Sequence, residues 1–185
     1  MATDDLHSFR FDCGATWLNL LATRGRAFST HPVERLGSTD LLAEWLRMSE
    51  LAPHGRPTYA DLERTRQLRE CLRALALATT RGQTPPDEAV AELSDFIATD
   101  DPVKLTGGDR LRRSSPATVA EALVRIARQA ADHLTGADRT GLKVCPENDC
   151  QGVFADPAGR RRWCPSPACA SRGRVRAHRA RRAAP

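Results

Sequence analysis

Aromatic residues are scarce in this chain: one tyrosine, three tryptophans and five phenylalanines make 5% of 185 residues. A core built from it must lean on Leu, Ala and Val, and few rings are left over for stacking on a ligand. No apolar run approaches the roughly 20 residues of a membrane helix, so no membrane partner is expected. The first ten residues carry Asp4 and Asp5 and lack the apolar stretch of a secretory signal, so the expected location is the cytoplasm. From Arg160 to Pro185 the chain has neither lysine nor acid, but it has nine arginines. Subtracting nine from the total of +5 leaves −4 for residues 1–159. A mildly acidic body thus ends in a strongly basic tail. That asymmetry suggests a polyanion partner, with a merely solvated basic end as the plainer alternative. No Ser/His/Asp set, phosphate loop or paired carboxylates on one helical face is present, so an enzyme is not expected.

Periodicity marks a mainly α N-terminal domain over 1–140. A short helix is expected around Trp17–Ala22. A second is capped by Ser38 or Thr39, with Leu41, Leu42, Trp45 and Leu46 inward. Thr58, with Asp61 three residues on, opens the clearest helix. Leu68, Leu72 and Leu75 form its apolar stripe, Cys71 borders it as a small core residue, and Gly82 ends it. After Pro85 and Pro86 the pattern predicts a helix burying Val90, Leu93 and Ile97. Val103–Leu105 and Arg110–Arg112, around Gly107-Gly108, suggest a small β-hairpin. A long helix from about Pro116 to Leu134 then buries Val119, Leu123, Ile126, Ala130 and Leu134, and Gly136 closes it.

The most informative segment lies in 141–185. Cys145 and Cys150, then Cys164 and Cys169, form two C-x4-C pairs thirteen residues apart. Disulfides are rare in the cytosol, whereas four thiolates brought together by two tight turns make a closed tetrahedral zinc shell. With no open coordination position, the Zn2+ is expected to be structural. Val153-Phe154, the Asp156–Gly159 turn and a return through Arg160–Trp163 predict a hairpin between the pairs. Ser166 and Pro167 predict the start of a helix with Cys169 in its first turn. Knuckle, hairpin and ligand-bearing helix make a small treble-clef-like zinc finger.

At 100° per residue, Arg172, Arg176 and Arg179 share one face of that helix, and Arg174, His178 and Arg181 share the opposite one. The apolar seam is too thin for a membrane-surface helix. Arginine suits phosphates and guanine edges. The candidate nucleic-acid contacts are therefore Arg160, Arg161, Arg162, Arg172, Arg174, Arg176, His178, Arg179, Arg181 and Arg182. Trp163 reads better as packing over the zinc knuckle than as stacking on a base. His178 has no metal partner at useful spacing.

Arg160-Arg161-Arg162-Trp163-Cys164 resembles the approach to the CGNR-type zinc finger. Cys169-Ala170-Ser171-Arg172 stands where that family's Cys-Gly-Asn-Arg box belongs, with Ala170 and Ser171 replacing Gly and Asn. The body resembles the ABATE domain that usually precedes this finger. The likeness rests on Val33-Glu34-Arg35-Leu36 with Leu41 to Leu46, on Leu68-Arg69-Glu70, and on Ile126-Ala127-Arg128-Gln129-Ala130. A further stretch, Leu18-Asn19-Leu20-Leu21-Ala22-Thr23, differs from the family's Leu-Asp-Leu-Val-Asn-Thr-like segment at two polar positions. The resemblance implies a bacterial, stress-induced transcription regulator at the nucleoid. Its finger would bind DNA, and its body would sense a small-molecule effector or form a homodimer. Two other readings stay open. One is an RNA-binding zinc protein. The other is a protein-interaction or small-molecule sensor module whose zinc is purely structural.

Overall fold

The computed structural model describes residues 8–98 and 104–183. Its elements run in chain order as α1 (Thr16–Leu21), β1 (Arg24–Gly25), β2 (Val33–Glu34), α2 (Thr39–Met48), α3 (Tyr59–Arg81) and α4 (Asp87–Ile97). Then come β3 (Leu105–Thr106), β4 (Arg112–Arg113), α5 (Val119–Thr135), a 3-10 turn (Ala137–Gly141), β5 (Leu142–Val144), β6 (Val153–Ala155) and α6 (Pro167–Ala183). The strands pair as three separate antiparallel ribbons, β1–β2, β3–β4 and β5–β6.

The helices start and stop where local chemistry allows it. Ser38 caps α2 by accepting the Leu41 amide. Thr58 and Asp61 form a reciprocal capping box at the start of α3, and Gly82 ends that helix with φ 63°, a conformation that suits glycine. Thr118 caps α5. The 23-residue α3 is the central rod, with α1, α4 and α5 packed around it. Its Leu68, Leu72 and Leu75 enter the core with Trp17, Trp45 and Ile126. Cys13 and Cys71 are buried there, and burial pushes both thiols up to about 12, as expected of inert core residues.

Three expectations need correction. Leu41 is exposed, because α2 turns Leu42, Trp45 and Leu46 to the core and Leu41 falls at the edge of that face. In α4 the fully buried set is Ala89, Leu93 and Phe96; Ile97 packs partly buried against the core as expected, but Val90 is exposed, and the guanidinium of Arg64 lies over the Phe96 ring. The finger's hairpin is also paired differently. β6 bonds with β5, ahead of the first cysteine, and residues 160–163 form no strand. Asp156 explains the difference. Its carboxylate accepts from the Arg161 amide and from Lys143 Nζ, both at 2.8 Å, so the chain curls back over β5 instead of running alongside β6. The hairpin around Gly107-Gly108 is present as β3–β4, although Val103 lies outside the described residues.

The β5–β6 ribbon shares the core of the helical body. Leu142, Val153 and Phe154 belong to the same buried cluster as Leu18, Leu68 and Leu72, and Phe154 is fully buried. The Ala155 amide also bonds to Cys13 O. The finger is therefore footed in the body rather than tethered to it.

Candidate metal centre and nucleic-acid interface

The first cysteine pair sits at the tip of the β5–β6 ribbon. Cys145 N bonds to Gly152 O, and both Cys150 N and Gln151 N bond to Glu147 O, which closes a tight knuckle. Gln151 takes a left-handed φ of 43° to complete it. The second pair stands at the start of α6: Pro167 is the first helical residue, and Cys169 lies in the first turn. A proline costs little at that position because its missing amide has no partner in the helix anyway.

These two devices bring the four sulfurs within 4.8 Å of one another, and Cys150 Sγ lies 3.8 Å from Cys164 Sγ. Zinc–sulfur bonds of about 2.3 Å set the edge of a regular tetrahedron at about 3.8 Å. The thiols perturb one another strongly. Hydrogen bonds from Cys150, Cys164 and Cys169 pull Cys145 far down towards thiolate, while Cys164 is pushed up by its bonds with the same group. Four sulfur donors this close can bind a metal ion and are consistent with Zn2+; a shell completed by Cys145, Cys150, Cys164 and Cys169 would leave no position for a substrate.

The knuckle also carries two carboxylates, and these organise α6. Glu147 is almost fully buried. It accepts from Arg176 through two bonds of 2.8 and 2.6 Å and from Trp163 Nε1 at 3.1 Å. The Arg176 bonds, with help from Trp163, hold its carboxyl below the usual range despite the opposing cost of burial. Asp149 accepts from Arg172 through two bonds of 3.0 and 3.1 Å, and Arg26 of β1–β2 approaches it at 3.4 Å. Arg172 also reaches Cys169 Sγ at 3.6 Å, which places it in the outer shell of the metal. A third feature completes the dock. A Cβ at Gly173 would lie 2.4–2.5 Å from the Trp163 indole, so the ring is seated against bare helix backbone.

The ten candidate nucleic-acid contacts therefore fall into distinct environments. Arg172 and Arg176 are clamped to the knuckle. Arg174, His178, Arg179, Arg181 and Arg182 are exposed and have no acidic partner among the described residues. Arg160 and Arg162 are exposed, with Arg162 over the Trp163 ring at 5.1 Å, and Arg161 leans towards Asp12 O. Glu147, Asp149 and Gly173 were missed as functional residues. A signal for the two acids was present: they lie between two metal ligands, and carboxylates there can engage arginines only if the basic helix folds back over the knuckle.

In the body, the stretches Leu18–Thr23, Val33–Leu36 and Leu68–Glu70 converge. Arg69 is buried and makes two bonds to Glu34, at 2.7 and 2.6 Å, and one to Thr23 Oγ1 at 3.0 Å. Arg73 donates to Leu21 O, Arg35 donates to Ala22 O, and Arg66 donates twice to Leu36 O. Asn19 holds the Cys13 amide, and Gln129 holds that of Trp17. This network fastens the C-terminal end of α1 and the β1–β2 ribbon to α3. Glu70 sits among Arg69, Arg73 and Arg24; although burial opposes ionisation, Arg73 and Arg69 hold its carboxyl below the usual range.

The architecture is that of a helical domain carrying a tetracysteine zinc finger. Residues 14–137 match the ABATE family model, described as a putative stress-induced transcription regulator. Residues 142–182 match the CGNR zinc finger model. The chain belongs to the ABATE family and carries a CGNR zinc finger. Both matches are regulator or zinc-finger types rather than enzyme families. No curated protein matches the chain. Among the described residues, no helix is long and apolar enough to cross a membrane.

Proposed function

We propose that the chain is a zinc-dependent, DNA-binding transcription regulator of the stress-response type, acting at the bacterial nucleoid. Zinc and the Glu147–Asp149 clamp fix the root of α6, a helix about 25 Å long in all at 1.5 Å per residue, and its free face lies against duplex DNA. Arg174, His178 and Arg181 face the groove or its rim. Arg179, Arg182 and the Arg160–Arg162 run take flanking phosphates. Arg172 and Arg176 serve as struts. The helical body senses an effector and pairs two copies, since one finger with a handful of phosphate contacts has little affinity alone.

The observation that carries this reading is the partition of charge on α6. Among the described residues, two carboxylates engage the two knuckle-facing arginines, of which Arg176 stays largely exposed, and none engages Arg174, Arg179, Arg181 or Arg182, which leaves an uncompensated basic surface on a rigid support. RNA is the poorer fit: Phe154 is buried and Trp163 is seated on Gly173, so the finger offers no free ring to a splayed base. Selection of bound fragments from random duplex DNA tests the proposal, run with zinc-loaded and chelated protein and with structured RNA as competitor. Zinc-dependent enrichment of duplex sites that RNA does not displace is expected. Retention equal to that of a variant with the outward arginines neutralised would leave the finger with a structural role only.

A further inference from the structure

The two halves of the finger are joined a second time, away from the sulfurs. Asp149 stands next to Cys150 in the knuckle, and Arg172 stands one helical turn beyond Cys169 on α6, on the same side. Arg172 donates to both Asp149 carboxylate oxygens, at 3.0 and 3.1 Å, and the Nη2 that makes the second of these bonds also lies 3.6 Å from Cys169 Sγ. The carboxylate therefore aims the guanidinium at a ligand sulfur. The body reaches Asp149 as well. In the turn between β1 and β2, the Phe28 amide donates to Asp149 O at 3.1 Å, and Arg26 Nε lies 3.4 Å from Asp149 Oδ2. Arg26 takes a φ of 49°, in the left-handed region that few arginines enter, and its contact with Asp149 helps to hold it there. The ribbon is itself tied to α3 through Glu34 and Arg69. A continuous set of contacts thus runs from the central helix of the body to a ligand sulfur.

We propose that Arg172 is a positioning residue for the metal and that the β1–β2 turn directs it, so that the relay Arg26–Asp149–Arg172–Cys169 tunes the affinity of the four-cysteine site for Zn2+. Four thiolates around one divalent ion leave a formal charge of about −2. A cationic N–H donor on one of those sulfurs offsets part of that charge and fixes the orientation of the ligand. Groups behind the ligands raise metal affinity in this way. Asp149 acts on the sulfur through Arg172, and Arg26 acts through Asp149. The Arg26 and Asp149 side chains are 43% and 29% exposed, so their ion pair adds little to the stability of the fold. Its effect is local, on the direction of the Arg172 guanidinium. Coupling of binding free energies is reciprocal, so zinc in turn tightens the β1–β2 turn.

The test uses the full chain and measures zinc affinity by competition with a chromophoric chelator. No DNA is present, so the relay stands or falls apart from the nucleic-acid reading above. Arg172→Gln should weaken zinc binding about 10–100-fold. Arg26→Gln leaves the sulfurs and Arg172 in place and should weaken it about two- to fivefold, with thermal unfolding of the helical body unchanged. Arg26→Lys, which keeps a cation at the carboxylate, should restore most of that loss. In an Asp149→Asn background the Arg26→Gln step should vanish, because the two residues act in series. Amide exchange at Phe28 should slow when zinc is added to the wild-type chain. Wild-type zinc affinity in Arg172→Gln would overturn the role of that donor. No loss in Arg26→Gln, or a loss of the same size with and without Asp149, would overturn the relay. If Arg172→Gln folds poorly, the Arg26 and Asp149 variants, on partly exposed side chains, decide the outcome alone.

Discussion

Neutralising the outward arginines of α6 should change DNA binding in a way that neutralising the inward ones does not. Each phosphate contact contributes about −0.9 to the slope of log affinity against log salt on duplex DNA. Arg174 and Arg181 lie seven residues apart on the outward face and have no acidic partner among the described residues. Converting both to Gln should flatten the slope by about 1.8 and weaken binding similarly across unrelated sequences. Arg172 and Arg176 already donate two bonds each to Asp149 and Glu147. Converting them to Gln should leave the slope per folded molecule nearly unchanged while loosening α6 from the knuckle. The assay is fluorescence anisotropy of a labelled duplex over a salt series, with zinc content and helicity measured for every variant. An equal flattening by the two doubles would refute the division into struts and contacts; a larger effect from the inward pair would reverse it.

Other outcomes follow from the same geometry. Gly173→Ala places a methyl into the Trp163 ring and should cost about 1–3 kcal/mol of finger stability, read as an earlier loss of the Trp163 fluorescence signal on denaturant titration. Arg69→Met removes one partner of a buried pair. Because Glu34 is partly exposed, the cost should be about 2–3 kcal/mol in a denaturant titration rather than the larger loss typical of fully buried pairs. Glu70 and Glu147 are both held below their ordinary value of 4.5, so the stability they add is complete above that pH. It should be lost as pH falls below 4.5 and each carboxylate protonates, and Glu70→Gln should remove part of that acid slope in thermal melts against pH.

Much of the scaffold could be read from local chemistry. The α3 capping box, the Gly82 stop, the Ser38 cap and the Pro167 start each depend on a few adjacent residues, and all are present as the residues suggest. The convergence of the four cysteines was equally readable, because two close-spaced cysteine pairs carry their geometry in their spacing. What could not be read depended on tertiary partners. The pairing of β6 was lost because Asp156 bonds to Lys143 and Arg161 and turns the chain away, and no pattern in 153–163 encodes a choice between two possible partner strands. The face of α4 was legible only in part, because Ala89 and Phe96 are buried with Leu93 while Val90 is exposed. The division of the α6 arginines was hidden because helical periodicity sorts residues onto faces without saying which face is already occupied. Glu147 and Asp149 decide that, from a loop about 25 residues earlier in the chain.

The account depends most on a closed four-sulfur zinc shell that anchors the arginine helix, and zinc K-edge absorption on the purified chain tests it most directly. A single zinc per chain with four sulfur scatterers at about 2.3 Å, lost in Cys150→Ala, is the expected result. A shell containing nitrogen or oxygen, or a zinc content unaffected by Cys150→Ala, would contradict it.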